Sequence, residues 1–210
     1  MPGSDVPIDS APVTLRTGQA VVEDGRACAR YLDEAAHGFF RLMIGKEAED
    51  ILSRAYMQPN HTYSFENVTF AELEGRTVGM VLAFTAEQHR AFSDRPLKDA
   101  AGRQQRRIRV VQALFSPMMQ ILNSIADGDL YVLSVAVDED TRGQGVGSVL
   151  LDGVERLAVE RGAKRLSLDV GSSNKGALRL YERRGMEVES RWPKRIPLPG
   201  LTMLRMSKPL

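Results

Sequence analysis

The sequence predicts an α/β protein in which helices cover a mixed β-sheet, and three observations indicate this class. A chain of 210 residues, 43% of them apolar, is long enough to bury a sizeable core without disulfide bonds. About seven strand-like segments alternate with helical ones along the chain. One of these segments, Leu130–Val137, has little polarity on either face, which is typical of a strand at the centre of a sheet.

The chain divides into a short tail and one domain. Residues 1–12 contain three prolines and are expected to form a flexible N-terminal tail. Residues 13–210 are expected to form a single domain, with a helical insertion at about 86–128. There are no internal repeats and no low-complexity tracts to suggest another organisation.

The first half of the domain contains a strand, two helices and a hairpin. Val13–Val22 alternates like a strand with an irregularity near Gly18. Apolar residues recur at helical spacing over 26–37 and again over 46–57. Two alternating runs, Val68–Leu73 and Thr77–Thr85, flank a short Gly-containing turn and predict a β-hairpin.

The insertion and the elements after it follow from local signals. Ser116-Pro117 is typical of a helix start, so the insertion is expected to hold a helix ending near Phe115 and a second one over 117–126. After the strand Leu130–Val137, a helix is expected to end at Gly162. The remaining elements are a strand over 165–170, a helix over 174–184, and strands near 186–191 and 201–207.

Composition excludes several classes of function. A formal net charge of +1 argues against a dedicated nucleic-acid binder, which usually carries a strong basic excess. Cys28 is the one cysteine, so no internal disulfide forms and a reducing compartment is favoured. No signal peptide and no apolar run of membrane-spanning length is present, so a cytoplasmic location without membrane contact is expected. His37, His61 and His89 lack metal-ligand spacing, and no metal site is expected.

The stretch "TRGQGVGSVLL" places three glycines in five positions between a strand and an apolar helix. A helix N-terminus presents unpaired backbone N–H groups and about half a positive charge. Without side chains at Gly143, Gly145 and Gly147, a phosphate could approach those amides, and Arg142 would add a cation. The stretch therefore predicts a pyrophosphate cradle.

Other interpretations of the glycines remain open. A tight turn without a ligand needs only one glycine. A Walker A loop needs a lysine and a Ser/Thr after the glycines, and none is present. A dinucleotide-binding loop would begin nearer the strand end, although Asp169 at the end of the next strand resembles its ribose-binding acid.

Two segments resemble motifs of the GCN5-related N-acetyltransferases (GNAT). Arg142-Gly143-Gln144-Gly145-Val146-Gly147 fits the signature Q/R-x-x-G-x-G/A of motif A, within Val137–Leu151. Downstream, "NKGALRLYERRGM" (Asn174–Met186) fits motif B, N-x-x-A-x-x-x-Y-x-x-x-G-F/M. The two motifs stand at the family's usual separation with a strand between them. The resemblance is detailed over 130–191 and only architectural over 13–85.

The resemblance implies a fold, a reaction and a co-substrate. The fold would be a mixed, mostly antiparallel sheet of six or seven strands with helices on both faces. The reaction would be transfer of the acetyl group of acetyl-CoA to a primary amine by direct attack in a ternary complex, without a metal. Asn174, Ala177, Leu178 and Tyr181 share one helix face, and seven residues of helix rise roughly 10 Å. A pantetheine arm passing Asn174 could therefore bring its sulfur to Tyr181.

The resemblance also assigns site residues. In the family, a backbone N–H on the strand before motif A, splayed from its neighbour by a bulge, faces the thioester carbonyl. Here that N–H would lie within 134–137, with Val135 the preferred candidate. Tyr181 resembles the general acid that protonates the leaving thiolate. The expected coenzyme A-binding residues are Val135, Ala136, Val137, Arg142, Gly143, Gln144, Gly145, Val146, Gly147, Ser148, Asn174, Ala177 and Tyr181.

The general base and the acceptor are less determined. Many relatives carry an acid on the motif A strand, but Leu130–Val137 contains none. Glu72 is the preferred catalytic base, with Asp129 or a water held by Ser134 as alternatives. A small-molecule amine is the preferred acceptor. The alternatives are a protein lysine or N-terminus, or a CoA-binding sensor without turnover. The expected partners are the acceptor and, as an open alternative, a second copy of the chain in a homodimer.

Overall fold

The computed structural model describes residues 12–114, 124–193 and 202–210 and contains one seven-stranded sheet. The strands are β1 (Thr14–Thr17), β2 (Val68–Leu73), β3 (Arg76–Thr85), β4 (Asp129–Val137), β5 (Arg165–Gly171), β6 (Glu187–Trp192) and β7 (Met203–Pro209). Their order in the sheet is β1-β2-β3-β4-β5-β7-β6. Among these strands β4 and β5 pair in parallel and every other pair is antiparallel. The predicted mixed, mostly antiparallel sheet is confirmed.

Helices cover both faces of this sheet, as predicted. The helices of the described residues are α1 (Val22–Ala35), α2 (Phe39–Ile44), α3 (Ala48–Tyr56), α4 (Ala86–Ala91), α5 (Arg95–Ala101), α6 (Gln105–Leu114), α7 (Val146–Glu160) and α8 (Lys175–Arg183). One face of the sheet forms a core with α1, α2 and α3, to which Ile108 of α6 contributes. The other face forms a second core with α7 and α8. We call them the first face and the second face.

The hairpin is confirmed, and its turn explains its geometry. Glu74 and Gly75 link β2 to β3 with φ of 52° and 76°. Two successive residues with positive φ form the turn whose twist matches that of the flanking strands. The hairpin thereby carries β3 into the centre of the sheet beside β4.

The start of the domain differs from the prediction. β1 ends at Thr17, and α1 begins at Val22 rather than near Arg26. Gly18 follows β1 directly and packs closely against the chain: a Cβ there would lie 2.4 Å from the Tyr56 hydroxyl. Its N–H donates to the Val68 carbonyl at 2.8 Å. Val21 is the N-cap residue of α1 and Val22 is its first residue, so the predicted strand over Val13–Val22 extends too far.

The insertion contributes to the core. Its described part forms α4, α5 and α6, and Ala101 and Ile108 are buried in the core of the first face. Most of the helix predicted over 117–126 lies outside the described residues. The same holds for almost all of the tail predicted over 1–12. Within the described ranges, none of the helices has the length and apolar character that a membrane crossing requires.

Candidate active site

The parallel strands β4 and β5 separate halfway along their length. Their pairing runs from Asp129 opposite Arg165 to Val132 opposite Leu168 and stops there. Beyond this point 133–137 of β4 pairs with β3, and 169–171 of β5 pairs with β7. The gap between these two half-strands is called the cleft. It opens toward the carboxyl ends of the two strands, where open α/β sheets commonly bind ligands.

A β-bulge marks the point of separation. Leu82 lies opposite Ser134 and Ala83 opposite Val132, so Leu133 is an extra residue in β4. A bulge bends its strand and increases its twist, which turns the second half of β4 away from β5. The bulge lies next to the range 134–137 in which the resemblance expects a free backbone N–H.

The second half of β4 presents two residues' backbone groups to the cleft. The Asp138 N–H donates to the Val78 carbonyl of β3 at 2.9 Å. Because backbone groups alternate along a strand, Ala136 also faces β3, whereas Val135 and Val137 point the other way. No rung between β4 and β5 is present at these two residues. Their N–H and C=O groups are therefore available to a ligand lying along β4.

The glycine segment connects β4 to α7 through two left-handed residues. A short turn over Glu139–Thr141 follows β4, and α7 begins at Val146. Gly143 and Gly145 have φ of 82° and 87°, a region that residues with a Cβ rarely adopt. A Cβ added at either position would meet no atom within 4 Å, so the surface above them is open. Residues 142–148 are called the cradle.

The cradle has four backbone N–H groups free to bind an anion. Three of its amides are used internally: Arg142, Gln144 and Ser148 donate to carbonyls of residues 139, 141 and 145. The remaining four have no acceptor in the described part of the chain, and they belong to Gly143, Gly145, Val146 and Gly147. These amides lie at or just before a helix N-terminus, with open space beside Gly143 and Gly145, an arrangement that fits a phosphate.

The third glycine serves packing between helices. A Cβ at Gly147 would lie 3.2 Å from Leu180 Cδ2, so glycine lets α8 approach the first turn of α7. Val146 is buried and Ser148 is half-buried in the same turn. The side-chain amide of Gln144 donates to the Asp140 carbonyl at 2.9 Å, which fixes the loop before the helix.

The motif B residues lie on α8 as the sequence predicts. Asn174 is the N-cap residue of α8, and its Oδ1 accepts the Ala177 N–H at 3.1 Å. Its side-chain oxygen therefore stabilises the helix start. Asn174 is exposed, and its side-chain NH₂ makes no hydrogen bond to a described residue. Ala177 and Tyr181 pack in the core of the second face together with Val135.

Tyr181 is a buried phenol with a raised pKa. The residue is 7% exposed, and its hydroxyl makes no hydrogen bond to a described residue. Burial raises the pKa of Tyr181 to about 12, because the phenolate would lose its hydration. Tyr181 is therefore protonated at any physiological pH.

Glu72 lies apart from the cleft. It lies on β2, and β3 separates β2 from β4, the strand that borders the cleft. Its pairing partner on β3 is Thr77, near the start of that strand. Its carboxylate accepts a hydrogen bond from Arg16 Nε at 2.5 Å. The structure thus does not bring the preferred base together with Tyr181. The sequence could not show this, because strand order and register fix the distance.

The two alternative bases have different surroundings. Asp129 is buried at the opposite end of β4 and forms an ion pair with Arg165 at 3.0 Å. Ser134 is the first β4 residue after the bulge, is buried, and has a hydroxyl without a hydrogen-bond partner among the described residues. Because Leu133 and Ala136 pack toward the first face, the alternation around the bulge places Ser134 on that face too.

The structure contains a buried group of charged side chains at the base of the cleft that is not part of the site predicted from the sequence. Arg205 of β7 forms a bidentate ion pair with Asp169, at 2.8 and 2.7 Å, and Tyr131 donates to the same carboxylate at 2.8 Å. Asp169 is the first β5 residue beyond the last rung with β4, so the three side chains tie β4, β5 and β7 where the cleft begins. An aspartate in an apolar strand is a signal for such a partner, but the sequence does not identify Arg205.

The known proteins to which this chain is similar are acetyltransferases. A sequence model described as the acetyltransferase (GNAT) family matches residues 29–186. An uncharacterized N-acetyltransferase of Methanocaldococcus jannaschii is 42% identical over 53 residues, which is 25% of this chain and 24% of that protein. Mycothiol acetyltransferase of Corynebacterium aurimucosum is 42% identical over 64 residues, 30% of this chain and 20% of that protein. The chain thus matches about a quarter or less of the length of these curated relatives.

A solved structure shows the same fold over nearly the whole chain. An N-acetyltransferase from Staphylococcus aureus superposes with a TM-score of 0.65 at 16% identity, covering 93% of this chain and 100% of the other. At this identity the likeness concerns the fold.

Proposed function

Because the chain belongs to the acetyltransferase (GNAT) family, we propose that it transfers the acetyl group of acetyl-CoA to a primary amine by direct attack in a ternary complex. The observation that carries this proposal is the cradle. Four amides without an acceptor among the described residues lie at the N-terminus of α7, next to the cleft. On β4, which forms one wall of the cleft, the backbone N–H and C=O groups of Val135 and Val137 have no partner on β5. Together the two features suit a long ligand with phosphates at one end.

The residues present fit coenzyme A. The amides of Gly143, Gly145, Val146 and Gly147 would hold its pyrophosphate, with Arg142 as a nearby cation. Val135 and Val137 would pair with the amide-containing arm, and the NH₂ of Asn174 remains available to it. When bound, acetyl-CoA supplies an activated acetyl thioester.

The Val135 N–H is proposed to stabilise charge on the thioester oxygen. As attack proceeds, negative charge develops on that oxygen, and a fixed donor stabilises it without reorganisation. The Val135 N–H points into the cleft and lacks a strand partner, because the bulge at Leu133 separates β4 from β5. A backbone donor of this kind is held in place by the sheet itself.

Tyr181 is proposed to stabilise the leaving thiolate as a hydrogen-bond donor. A thiol has a pKa near 8.5, whereas burial raises the pKa of Tyr181 to about 12. At about 1.4 kcal/mol per pKa unit, complete proton transfer to the thiolate would be uphill by roughly 5 kcal/mol. Donation of a hydrogen bond without full transfer avoids this cost.

Ser134 is proposed to hold the water that removes the proton of the acceptor amine. Its hydroxyl is unpaired, lies on β4 next to Val135, and belongs to the first face, opposite the face that carries Tyr181. Asp129 and Glu72 are both occupied by arginines. Ser134 is thus the candidate whose polar atom remains free beside the cleft.

Replacing Ser134 by alanine is expected to lower kcat about fivefold at pH 7, because one hydrogen bond to the water is worth about 1 kcal/mol. The difference should disappear above the pKa of the amine, near 10.4 for a lysine-like acceptor. The matched control is Ser167→Ala, which removes another buried and unpartnered hydroxyl from the paired part of β5. Equal pH–rate profiles for Ser134→Ala and the unaltered protein would remove Ser134 from the reaction.

A small primary amine is the proposed acceptor. Three carboxylates on or beside β4 and β5 are paired with arginines: Asp129 with Arg165, Asp169 with Arg205, and Asp138 with Arg30 at 2.9 Å. None of these three carboxylates is therefore left unpaired to attract a basic peptide. A small amine needs no such surface.

The test is thiol release from acetyl-CoA across a panel of acceptors. The panel contains small amines, peptides with a free N-terminus and peptides with an internal lysine, and mass spectrometry identifies the acetylated product. Turnover confined to small amines supports the proposal, whereas turnover confined to peptides overturns the acceptor class. Tight coenzyme A binding without thiol release on any acceptor would instead indicate a sensor.

A further inference from the structure

Arg142 covers a backbone carbonyl at the open end of the cleft. Its Nε donates to the Val137 carbonyl at 3.2 Å, and its Nη1 lies 3.2 Å from a carboxylate oxygen of Glu139. The Arg142 side chain is 60% exposed and the Glu139 side chain 87% exposed. No further hydrogen bond in the described part of the chain holds the guanidinium there. Moving it therefore costs little free energy.

The covered carbonyl is one that a ligand along β4 would use. Val137 points away from β3, and β5 has already diverged from β4 at Leu168. Its carbonyl is the last acceptor on this wall of the cleft before the chain turns into the cradle. Because Arg142 already donates to this carbonyl, a ligand N–H that approaches along β4 competes with Arg142 for the same acceptor oxygen.

The same guanidinium lies beside the free amides of the cradle. Gly143 follows Arg142 directly, and its N–H is one of the four unpaired groups. A phosphate bound there would offer Arg142 a charged, bidentate acceptor, which binds guanidinium more strongly than one neutral carbonyl and one exposed carboxylate do. The phosphate would therefore draw Arg142 away from Val137.

We propose that Arg142 selects among acyl donors by competing for the Val137 carbonyl until a phosphate in the cradle withdraws it. When a thioester with phosphates binds, its phosphate draws Arg142 away from the Val137 carbonyl. The ligand can then form hydrogen bonds with the backbone of β4. A thioester of pantetheine has no phosphate to attract Arg142, so it must compete directly with Arg142 for the Val137 carbonyl. Arg142 would thus add affinity for coenzyme A thioesters and reduce affinity for phosphate-free ones. This inference rests on the proposed function, since it assumes that the donor lies in the cleft.

Two substitutions separate the two roles of Arg142. Arg142→Ala removes both the charge and the hydrogen bond to Val137. Arg142→Gln removes the charge but places its side-chain NH₂ where Nε stands in arginine, so the carbonyl can stay covered. Arg156→Ala is the control for net charge, because Arg156 is an exposed arginine on α7 without an ion pair among the described residues.

The experiment measures dissociation constants of acetyl-CoA and acetyl-pantetheine by NMR titration, without an acceptor. For Arg142→Ala we expect binding of acetyl-CoA to weaken about tenfold and binding of acetyl-pantetheine to strengthen about threefold. For Arg142→Gln we expect the same weakening for acetyl-CoA and a change of less than about twofold for acetyl-pantetheine. Arg156→Ala should leave both constants unchanged.

The outcomes distinguish this inference from the proposed function. If the unaltered protein binds acetyl-CoA but Arg142→Ala weakens both donors, or leaves acetyl-pantetheine unchanged, Arg142 is a phosphate contact only and the selection is wrong. If the unaltered protein binds neither donor, the proposed function itself fails. Opposite signs for the two donors in Arg142→Ala are the result that establishes the selection.

Discussion

Replacing Gly145 by valine is expected to abolish detectable binding of coenzyme A, with affinity reduced at least about 100-fold. Gly145 carries one of the four free amides and has a φ of 87°. A valine side chain would occupy the open space above the cradle, where the phosphate is expected. It would also block the approach of anions to the N–H of Val146. Isothermal titration calorimetry with coenzyme A measures the loss.

The control must show that backbone strain is not the cause. A left-handed residue with a Cβ costs about 1–2 kcal/mol, so the Gly145→Val protein should be less stable but folded. Gly162 follows the other end of α7, has a φ of 68°, and has no atom within 4 Å of an added Cβ. Gly162→Val therefore imposes the same strain outside the cradle and should bind coenzyme A normally. Normal affinity in Gly145→Val would refute the cradle.

Replacing Tyr181 by phenylalanine is expected to lower kcat by about 100-fold or more, the loss typical when a fixed hydrogen-bond donor to developing negative charge is removed. Phenylalanine keeps the packing of Tyr181 against the second face and removes only the hydroxyl. Coenzyme A affinity should change by less than about threefold, because one hydrogen bond to the thiol is lost. Steady-state kinetics and calorimetry together check both statements.

A second tyrosine provides the control for removal of a hydroxyl. Tyr56 is buried, its hydroxyl lacks a partner among the described residues, and it lies near Gly18 at the β1 edge. Tyr56→Phe should keep the full rate. An unchanged rate in Tyr181→Phe would exclude Tyr181 from the reaction.

The pH profile tests the raised pKa of Tyr181. The neutral phenol is the donor form, and it is lost as pH rises through the pKa. Because burial raises this pKa to about 12, activity should show no alkaline decline between pH 9 and 10.5, where an ordinary tyrosine with a pKa near 10 would ionise. A decline centred near pH 10 that is missing in Tyr181→Phe would show that the phenol is not shielded from water. The measurement is kcat against pH at saturating amine.

Much of the local structure around the candidate site could be predicted because it depends on neighbouring residues. The cradle follows from three glycines between an apolar strand and a helix, and α8 follows from apolar residues at helical spacing after an N-cap residue. Such features depend on a few consecutive residues, so the sequence contains them. Which of the cradle's amides remain free could not be predicted, because internal hydrogen bonds at Arg142, Gln144 and Ser148 depend on how the loop closes.

The general base shows where prediction from sequence fails. Glu72 follows from residue type and strand position, yet its carboxylate is paired with Arg16 and lies two strands from the cleft. Ser134 is an ordinary residue in the sequence, and its free hydroxyl results from the bulge beside it. Likewise, Asp169 and Arg205 are 36 residues apart and meet because β5 and β7 pair.

Local sequence was sufficient to determine the alternation of strands and helices, the hairpin, the cradle and the class of sheet, since each depends on side-chain periodicity or on backbone freedom at a few neighbouring positions. The tertiary structure alone decided where β4 leaves β5, which backbone groups face the gap, and which ionisable residues are already paired. These properties arise from register between strands distant in sequence, and a shift of one residue would turn every side chain to the other face.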